Sequence, residues 1–161
     1  MIWVDTKDGL TEAKSHFANI ELELVGIDSE WIQTDSPSPS PSPRRYKVSI
    51  LQIASEEKVF IFDMIRLSNT EESDALEDCL KPLFRSRKIW KVGYALNNDF
   101  KQLFRSYGYL NCFSFYESTL DFQRMYANLS GGLSRLTEKL LNRRLDKSLL
   151  MSKWEQRPVG P

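Results

Sequence analysis

Leu22-Glu-Leu-Val-Gly-Ile-Asp28-Ser-Glu30-Trp31 is the stretch on which the reading of this chain turns. Leu24, Val25 and Ile27 place apolar side chains on both faces of an extended segment, the pattern of a strand buried inside a sheet. Side chains alternate along a strand, so Asp28 and Glu30 share one face at its end. Two carboxylates closing an apolar strand are costly unless an opposite charge compensates them, and a divalent cation is the obvious one.

The flanking periodicities place this strand in an α/β domain. Ile2 to Val4 reads as a short strand and Leu10 to Phe17 as a helix. Tyr46 to Ala54 and Lys58 to Asp63 read as two further strands, with Ser55-Glu-Glu57 as a hairpin turn. Ser68-x-x-Glu71 or Asn69-x-x-Glu72 opens a helix as a capping box. Its apolar positions are Ala75, Leu76, Cys79, Leu80, Leu83 and Phe84, and Pro82 is expected to end it or restart another. Ile89 to Tyr94 is a strand, and Phe100, Leu103, Phe104 and Tyr107 mark the next helix. A short strand near Phe113 to Tyr116, a helix from about Leu120 and another from Leu133 to Leu141 follow. The sum is a mixed sheet flanked by helices, a single domain over residues 1–161.

Between the strands ending near Trp31 and starting near Tyr46 lies Ser36-Pro-Ser-Pro-Ser-Pro-Ser-Pro43. Alternating proline forbids helix and ladder pairing alike, so residues 36–43 read as an extended, polyproline-II-like insertion. The alternatives are a plain solvated loop or, with Arg44-Arg45, a phosphorylatable or partner-binding segment.

Composition narrows the class. With 161 residues, 41% of them hydrophobic, the chain can bury one sizeable core. Its 22 basic and 22 acidic residues balance, which excludes a broadly basic nucleic-acid binder and leaves room for a local patch. Two cysteines, Cys79 and Cys112, are too few for a disulfide framework or a cysteine-type zinc site, and Cys79 reads as a buried thiol. The N-terminal residues lack signal-peptide character and no stretch approaches transmembrane length, so a cytoplasmic or nuclear protein without membrane contact is expected.

Asp99, in Val92-Gly-Tyr-Ala-Leu-Asn-Asn98-Asp99, falls in the first turn of a helix following a strand. Asn97 or Asn98 can cap that helix, and a carboxylate there is favoured by the helix dipole. Alone, Asp99 is an ordinary helix-start acid. Asp121 reads as a cap of its own helix, Asp63 as a strand-end acid, and His16 as a polar-face residue of the early helix.

Taken together, Val25-Gly-Ile-Asp28-Ser-Glu30-Trp31, Val48-Ser-Ile-Leu-Gln-Ile53 and Lys91-Val-Gly-Tyr-Ala-Leu-Asn-Asn-Asp99 resemble consecutive blocks of the DEDD-type 3'-5' exonucleases. The similarity is to the branch holding ribonuclease D, the Werner-syndrome exonuclease domain and the Nibbler-type enzymes. Gly132-Leu-Ser-Arg-Leu-Thr-Glu-Lys-Leu140, Leu145-Asp-Lys-Ser148 and Ser152-Lys-Trp154-Glu-Gln-Arg157-Pro158 resemble the next block in the same order.

The resemblance implies an RNase H-like fold and two-metal hydrolysis of terminal phosphodiesters at single-stranded RNA or DNA 3' ends. Asp28 would hold both divalent ions, Glu30 one of them, and Asp99 the second. Carboxylate and water ligands suit Mg²⁺ or Mn²⁺. The family's third motif supplies a fourth aspartate and a tyrosine or histidine that positions the attacking water, just beyond the Trp-x-x-Arg-Pro stretch. Here Arg157-Pro-Val-Gly-Pro161 stands at that point. The expectation is therefore a domain truncated before the third motif, without its C-terminal helix. A catalytically inactive nucleic-acid-binding or interaction module is the alternative, with a protein partner over the uncovered sheet face.

The nucleic-acid contacts expected on this reading come from two places. Arg143, Arg144, Lys147, Lys153 and Arg157 surround Trp154, and basic groups about an aromatic suit a phosphate chain with a stacked base. Trp31 and Asn98, with Tyr94, flank the acids. For Trp154 the alternative is packing on the core.

Overall fold

The computed structural model describes residues 1–31, 47–68, 71–127 and 130–146. The Ser-Pro stretch 36–43, Lys147, Trp154 and Arg157 lie outside the described residues. The described elements are β1 (Ile2–Val4), α1 (Lys7–Phe17), β2 (Leu24–Trp31), β3 (Val48–Ala54), β4 (Val59–Asp63) and α2 (Met64–Leu67). They continue with α3 (Ser73–Arg85), β5 (Trp90–Gly93), α4 (Leu96–Tyr107), a 3-10 turn at Asn111–Phe113, β6 (Thr119–Asp121), α5 (Phe122–Met125) and α6 (Gly132–Leu141).

The strands form one mixed sheet in the order β1-β4-β3-β2-β5-β6. The β2–β3 and β3–β4 pairs are antiparallel, and the other three are parallel. This is the mixed α/β sheet flanked by helices expected from the sequence.

Register explains how the sheet sorts its residues. Ile2, Phe60, Ile53 and Ile27 lie in one row across four strands, and Val4, Phe62, Leu51 and Ser29 in another. Apart from the polar Ser29, both rows join the apolar cluster formed with Leu10, Ala13 and Phe17 of α1 and Leu76, Leu80 and Leu83 of α3. Burying one large aliphatic or aromatic side chain contributes about 1.5–3 kcal/mol, so these rows dominate cohesion. The alternate row, Trp3, Ile61, Gln52 and Asp28, faces the other way. Leu24 and Trp90 are register partners on that second face, and both are about half exposed.

Lys91 is fully buried on the core face beside Val25. Its ammonium donates to the carbonyls of Ser86 and Ile89, each at 2.7 Å, fastening the end of α3 to the sheet. No helix among the described residues is long and apolar enough to cross a membrane. Cys79 and Cys112 are buried free thiols.

Several local expectations are corrected. β2 is not buried on both faces, because Leu24 and Asp28 are exposed on one face while Val25 and Ile27 are buried on the other. The capping box at Ser68 or Asn69 does not start the long helix. Asp63 instead caps α2 by accepting from the Arg66 N–H at 3.1 Å, Ser68 ends α2, and α3 begins at Ser73 without a side-chain cap. Pro82 neither ends nor restarts that helix. It sits exposed inside α3, where its missing N–H removes one bond near the last turn.

Phe113 to Tyr116 is not a strand, because Phe113 and Tyr116 both turn their rings onto Phe84 instead of alternating. The strand comes later, as β6, and α5 starts at Phe122. His16 is not on a polar face: the β3–β4 turn folds over it, Ser55 Oγ lies 2.9 Å from its Nε2, and Phe60 packs on its ring.

Candidate active site

The site grows from a gap in the sheet. β5 pairs with β2 only from Leu24↔Trp90 to Gly26↔Val92, and beyond that point this edge of β2 has no strand neighbour among the described residues. At Gly93 the two chains are still very close, since a Cβ there would lie 2.8 Å from the Ile27 carbonyl oxygen. The chain then leaves the sheet through Ala95, whose φ of 57° is left-handed, and starts α4 at Leu96.

Neither Asn97 nor Asn98 caps this helix, contrary to expectation. Ala95 is the N-cap residue and makes no side-chain bond, and the Asn98 N–H donates to its carbonyl at 2.8 Å. Asp121, at the end of β6, accepts from the Ala95 N–H at 2.9 Å and from the Gln123 N–H at 3.0 Å. One carboxylate thus holds the strained turn and caps α5.

This turn aims the first turn of α4 back at β2. Asp99 is 5% exposed, and its Oδ1 accepts from the Ser29 N–H at 3.1 Å and the Ser29 hydroxyl at 2.6 Å. The carboxylate therefore fills the place of the strand that β5 no longer provides. Val48 N–H donates to Ser106 Oγ at 3.0 Å, and Tyr107 donates its hydroxyl to the Val48 carbonyl, so the far end of α4 is fixed to β3.

Asp28 and Glu30 face Gln52 and Ile50 on the open side of β2. Asp28 reaches solvent, yet the protein packed about it raises its carboxyl, opposed by a backbone bond from Ser29. Glu30 is pushed up to about 7, first by burial and then by the charges of Asp28 and Asp99. Asp99 is also raised to about 7 by burial, with the Ser29 hydroxyl working against the rise and Asp28 adding to it. The three carboxylates thus share one electrostatic neighbourhood.

The donors fit a hard divalent cation, since all are carboxylate oxygens and their mutual repulsion favours an added positive charge. Among the described residues, however, no group of three or more His, Cys, Asp or Glu side chains gathers tightly enough to hold an ion unaided.

The other expected contacts are more scattered. Trp31 is half-buried and packs against the apolar core. Asn98 is exposed on α4. Arg144 is exposed and pairs with Glu138 at 2.8 Å.

The profile described as 3'-5' exonuclease matches residues 1–160. The chain belongs to the 3'-5' exonuclease domain family.

Relatives of this exonuclease domain agree. The human exonuclease mut-7 homolog is 27% identical over 156 residues, covering 85% of this chain and 17% of that protein. The chain therefore spans about a sixth of the curated relative it matches. The Nibbler EXO domain of Aedes aegypti superposes with a TM-score of 0.78 at 21% identity, covering 99% of this chain and 76% of that one. Trypanosoma brucei RNase D in complex with RNA U12 gives 0.75 at 20% identity, covering 99% and 55% respectively.

Ser29 is the residue of this exonuclease domain that sequence reasoning left without its role, whereas for Asp121 the expected cap of α5 is present and only the bond from Ala95 was missed. The available signal for Ser29 was a lone hydroxyl continuing the inward-facing series Val25, Ile27, where an apolar residue would otherwise stand.

Proposed function

We propose that residues 1–161 form one unit that hydrolyses terminal phosphodiesters at single-stranded 3' ends, RNA ahead of DNA. The observation that carries this reading is the electrostatic coupling of Glu30 with Asp28 and Asp99, with Asp99 tied to Ser29 between the two strand acids and the pKa values of Glu30 and Asp99 raised to about 7. Asp28 and Glu30 present oxygens from a rigid strand, and Asp99 presents its carboxylate from a helix start pinned to that strand. Bound Mg²⁺ or Mn²⁺ would supply an activated water and charge stabilisation at the leaving oxygen. The chain's own contribution is to keep the ligands in place before the ion arrives.

RNA is placed ahead because a fold relative, the trypanosomal RNase D, is described in complex with RNA. A second reading, an inactive nucleic-acid-binding module, draws on the absence of a tight ligand group among the described residues. One experiment separates the two. The purified chain is incubated with 3'-overhang RNA and with DNA in Mn²⁺, beside Asp28→Ala/Glu30→Ala. Ladder-like shortening that the variant lacks supports the enzyme, and binding without shortening supports the module.

A further inference from the structure

The outer face of α4 carries a second concave site, turned away from Asp99. A cleft of about 460 Å³ opens there, lined by Phe100, Lys101, Phe104, Arg105, Phe113 and Tyr116 among others. Residues 101, 104 and 105 recur at helical spacing on one side of α4, while Leu96, Asp99 and Leu103 are buried on the other. The aromatic wall is rigid: Phe100 and Tyr116 stack with centroids 3.7 Å apart at 14°, and Phe84 backs Tyr116 edge-on at 5.1 Å. Phe113 is fully buried beneath.

Two features of this cleft are unexplained by folding. Phe104 projects at 54% exposure, although the helix buries Phe100 and Leu103 beside it. Lys101 and Arg105 flank it one turn apart, and among the described residues neither takes part in an ion pair. A half-exposed ring lining the same cleft as two cations without ion pairs matches the chemistry of a stacked base with adjacent phosphates. An apolar peptide would leave both cations unused.

We propose that this cleft binds a segment of single-stranded nucleic acid, with a base on Phe104 and phosphates at Lys101 and Arg105. The proposal rests on the exonuclease reading for its choice of ligand, and it adds a contact outside the carboxylate site. Because α4 also carries Asp99, strand held on its outer face is held by the same rigid element that positions the acids.

Binding measured without divalent ions tests this independently of catalysis. Fluorescence anisotropy with a labelled poly-uridine RNA is recorded in EDTA for the full chain, for Lys101→Glu/Arg105→Glu, for Phe104→Ala and for Asp28→Asn/Glu30→Gln. All substituted α4 side chains are exposed, and circular dichroism checks that each variant is folded. The charge reversal is expected to weaken binding at least tenfold. It should also reduce the salt slope by about 1.4, two phosphate contacts at about 0.7 each for a single strand. Phe104→Ala is expected to weaken binding about tenfold at unchanged salt slope. The carboxylate variant, which removes two charges that repel phosphate, should bind at least as tightly as the parent, which keeps failure of the catalytic reading distinct from failure of this one. Unchanged RNA affinity in both α4 variants overturns the proposal. So does absence of RNA binding to the parent chain, or binding of labelled poly-glutamate to the parent that the α4 charge reversal abolishes while RNA affinity is unchanged, which would assign the cleft to an acidic protein.

Discussion

Ser29 donates both its backbone N–H and its hydroxyl to a single oxygen of Asp99, at 3.1 and 2.6 Å, across 70 residues of sequence. The contact joins the strand bearing Asp28 and Glu30 to the helix bearing the third acid. It substitutes for a strand pair that ends at Gly26. Without it Asp99 would be a buried carboxylate held only by its own helix.

Ser29→Ala tests this coupling. The alanine keeps the N–H bond and removes the shorter, charge-assisted one, so a stability loss of about 1.5–3 kcal/mol is expected. Shortening of RNA should fall about tenfold or more through kcat, because Asp99 loses its fixed position. Ser29→Thr restores the hydroxyl and should recover part of both. Urea melts and single-turnover rates measure the two effects, and an alanine variant with parental kcat would remove Ser29 from the site.

The raised acidities set a pH dependence. Glu30 and Asp99 titrate near 7 in the folded chain, against ordinary values of 4.5 and 3.8. Between those limits the folded chain holds protons that the unfolded chain has released, so stability falls as pH rises through the window. The stabilisation is complete below the unfolded values and is lost by the time pH passes 7. Divalent ions reverse the loss by binding the ionised acids. Mg²⁺ should raise Tm little at about pH 5.5 and clearly at about pH 8, approaching about 2.7 kcal/mol at a hundredfold excess over Kd. Asp28→Asn/Glu30→Gln should abolish the response and raise the metal-free Tm at about pH 8. Thermal melts with Mg²⁺ and with EDTA at both pH values decide it; an equal Mg²⁺ effect at both contradicts the coupled-acid picture.

How far the sequence foretold this site follows from the range of each signal. Asp28 and Glu30 were legible because a strand's period of two is a local rule, and Asp99 because a helix start is also local. The sheet and its helices followed from apolar periodicity. Ser29's partner was not legible, since it depends on where β5 stops pairing and α4 turns inward. The capping box at Ser68 misled for a different reason: Ser68 closes the short helix α2, which Asp63 caps locally, and α3 starts later at Ser73 with no side-chain cap. Phe113 and Tyr116 look like strand residues until their aromatic partners, Phe84 and Phe100, are brought up from distant helices.

Gly93 is where tertiary crowding is tightest beside the site. A Cβ there meets the Ile27 carbonyl oxygen at 2.8 Å and Leu96 Cδ1 at 3.0 Å. The carbonyl belongs to a central strand and cannot move cheaply. Gly93→Ala should therefore cost about 1–3 kcal/mol and push α4 outward, lengthening the reach from Asp99 to Ser29. Chemical denaturation reads the first effect. Loss of Mg²⁺-dependent stabilisation reads the second, and an unaltered Mg²⁺ response would show that α4 absorbs the clash elsewhere.

Asp121 separates a structural acid from a metal ligand. Its Oδ1 accepts from Ala95 and Gln123, and Ala95 is held in a left-handed conformation that costs an alanine about 1–2 kcal/mol. Asp121→Ala should lose about 1–2 kcal/mol by freeing both N–H groups. Asp121→Asn keeps an accepting oxygen, so it should retain most of the stability and nearly all RNA shortening. Ala95→Gly relieves the backbone strain and should offset part of the Asp121→Ala loss, by less than 1 kcal/mol, because glycine also gains freedom in the unfolded chain. Activity that disappears in Asp121→Asn while its melting curve stays parental would instead make Asp121 a ligand of the catalytic ions.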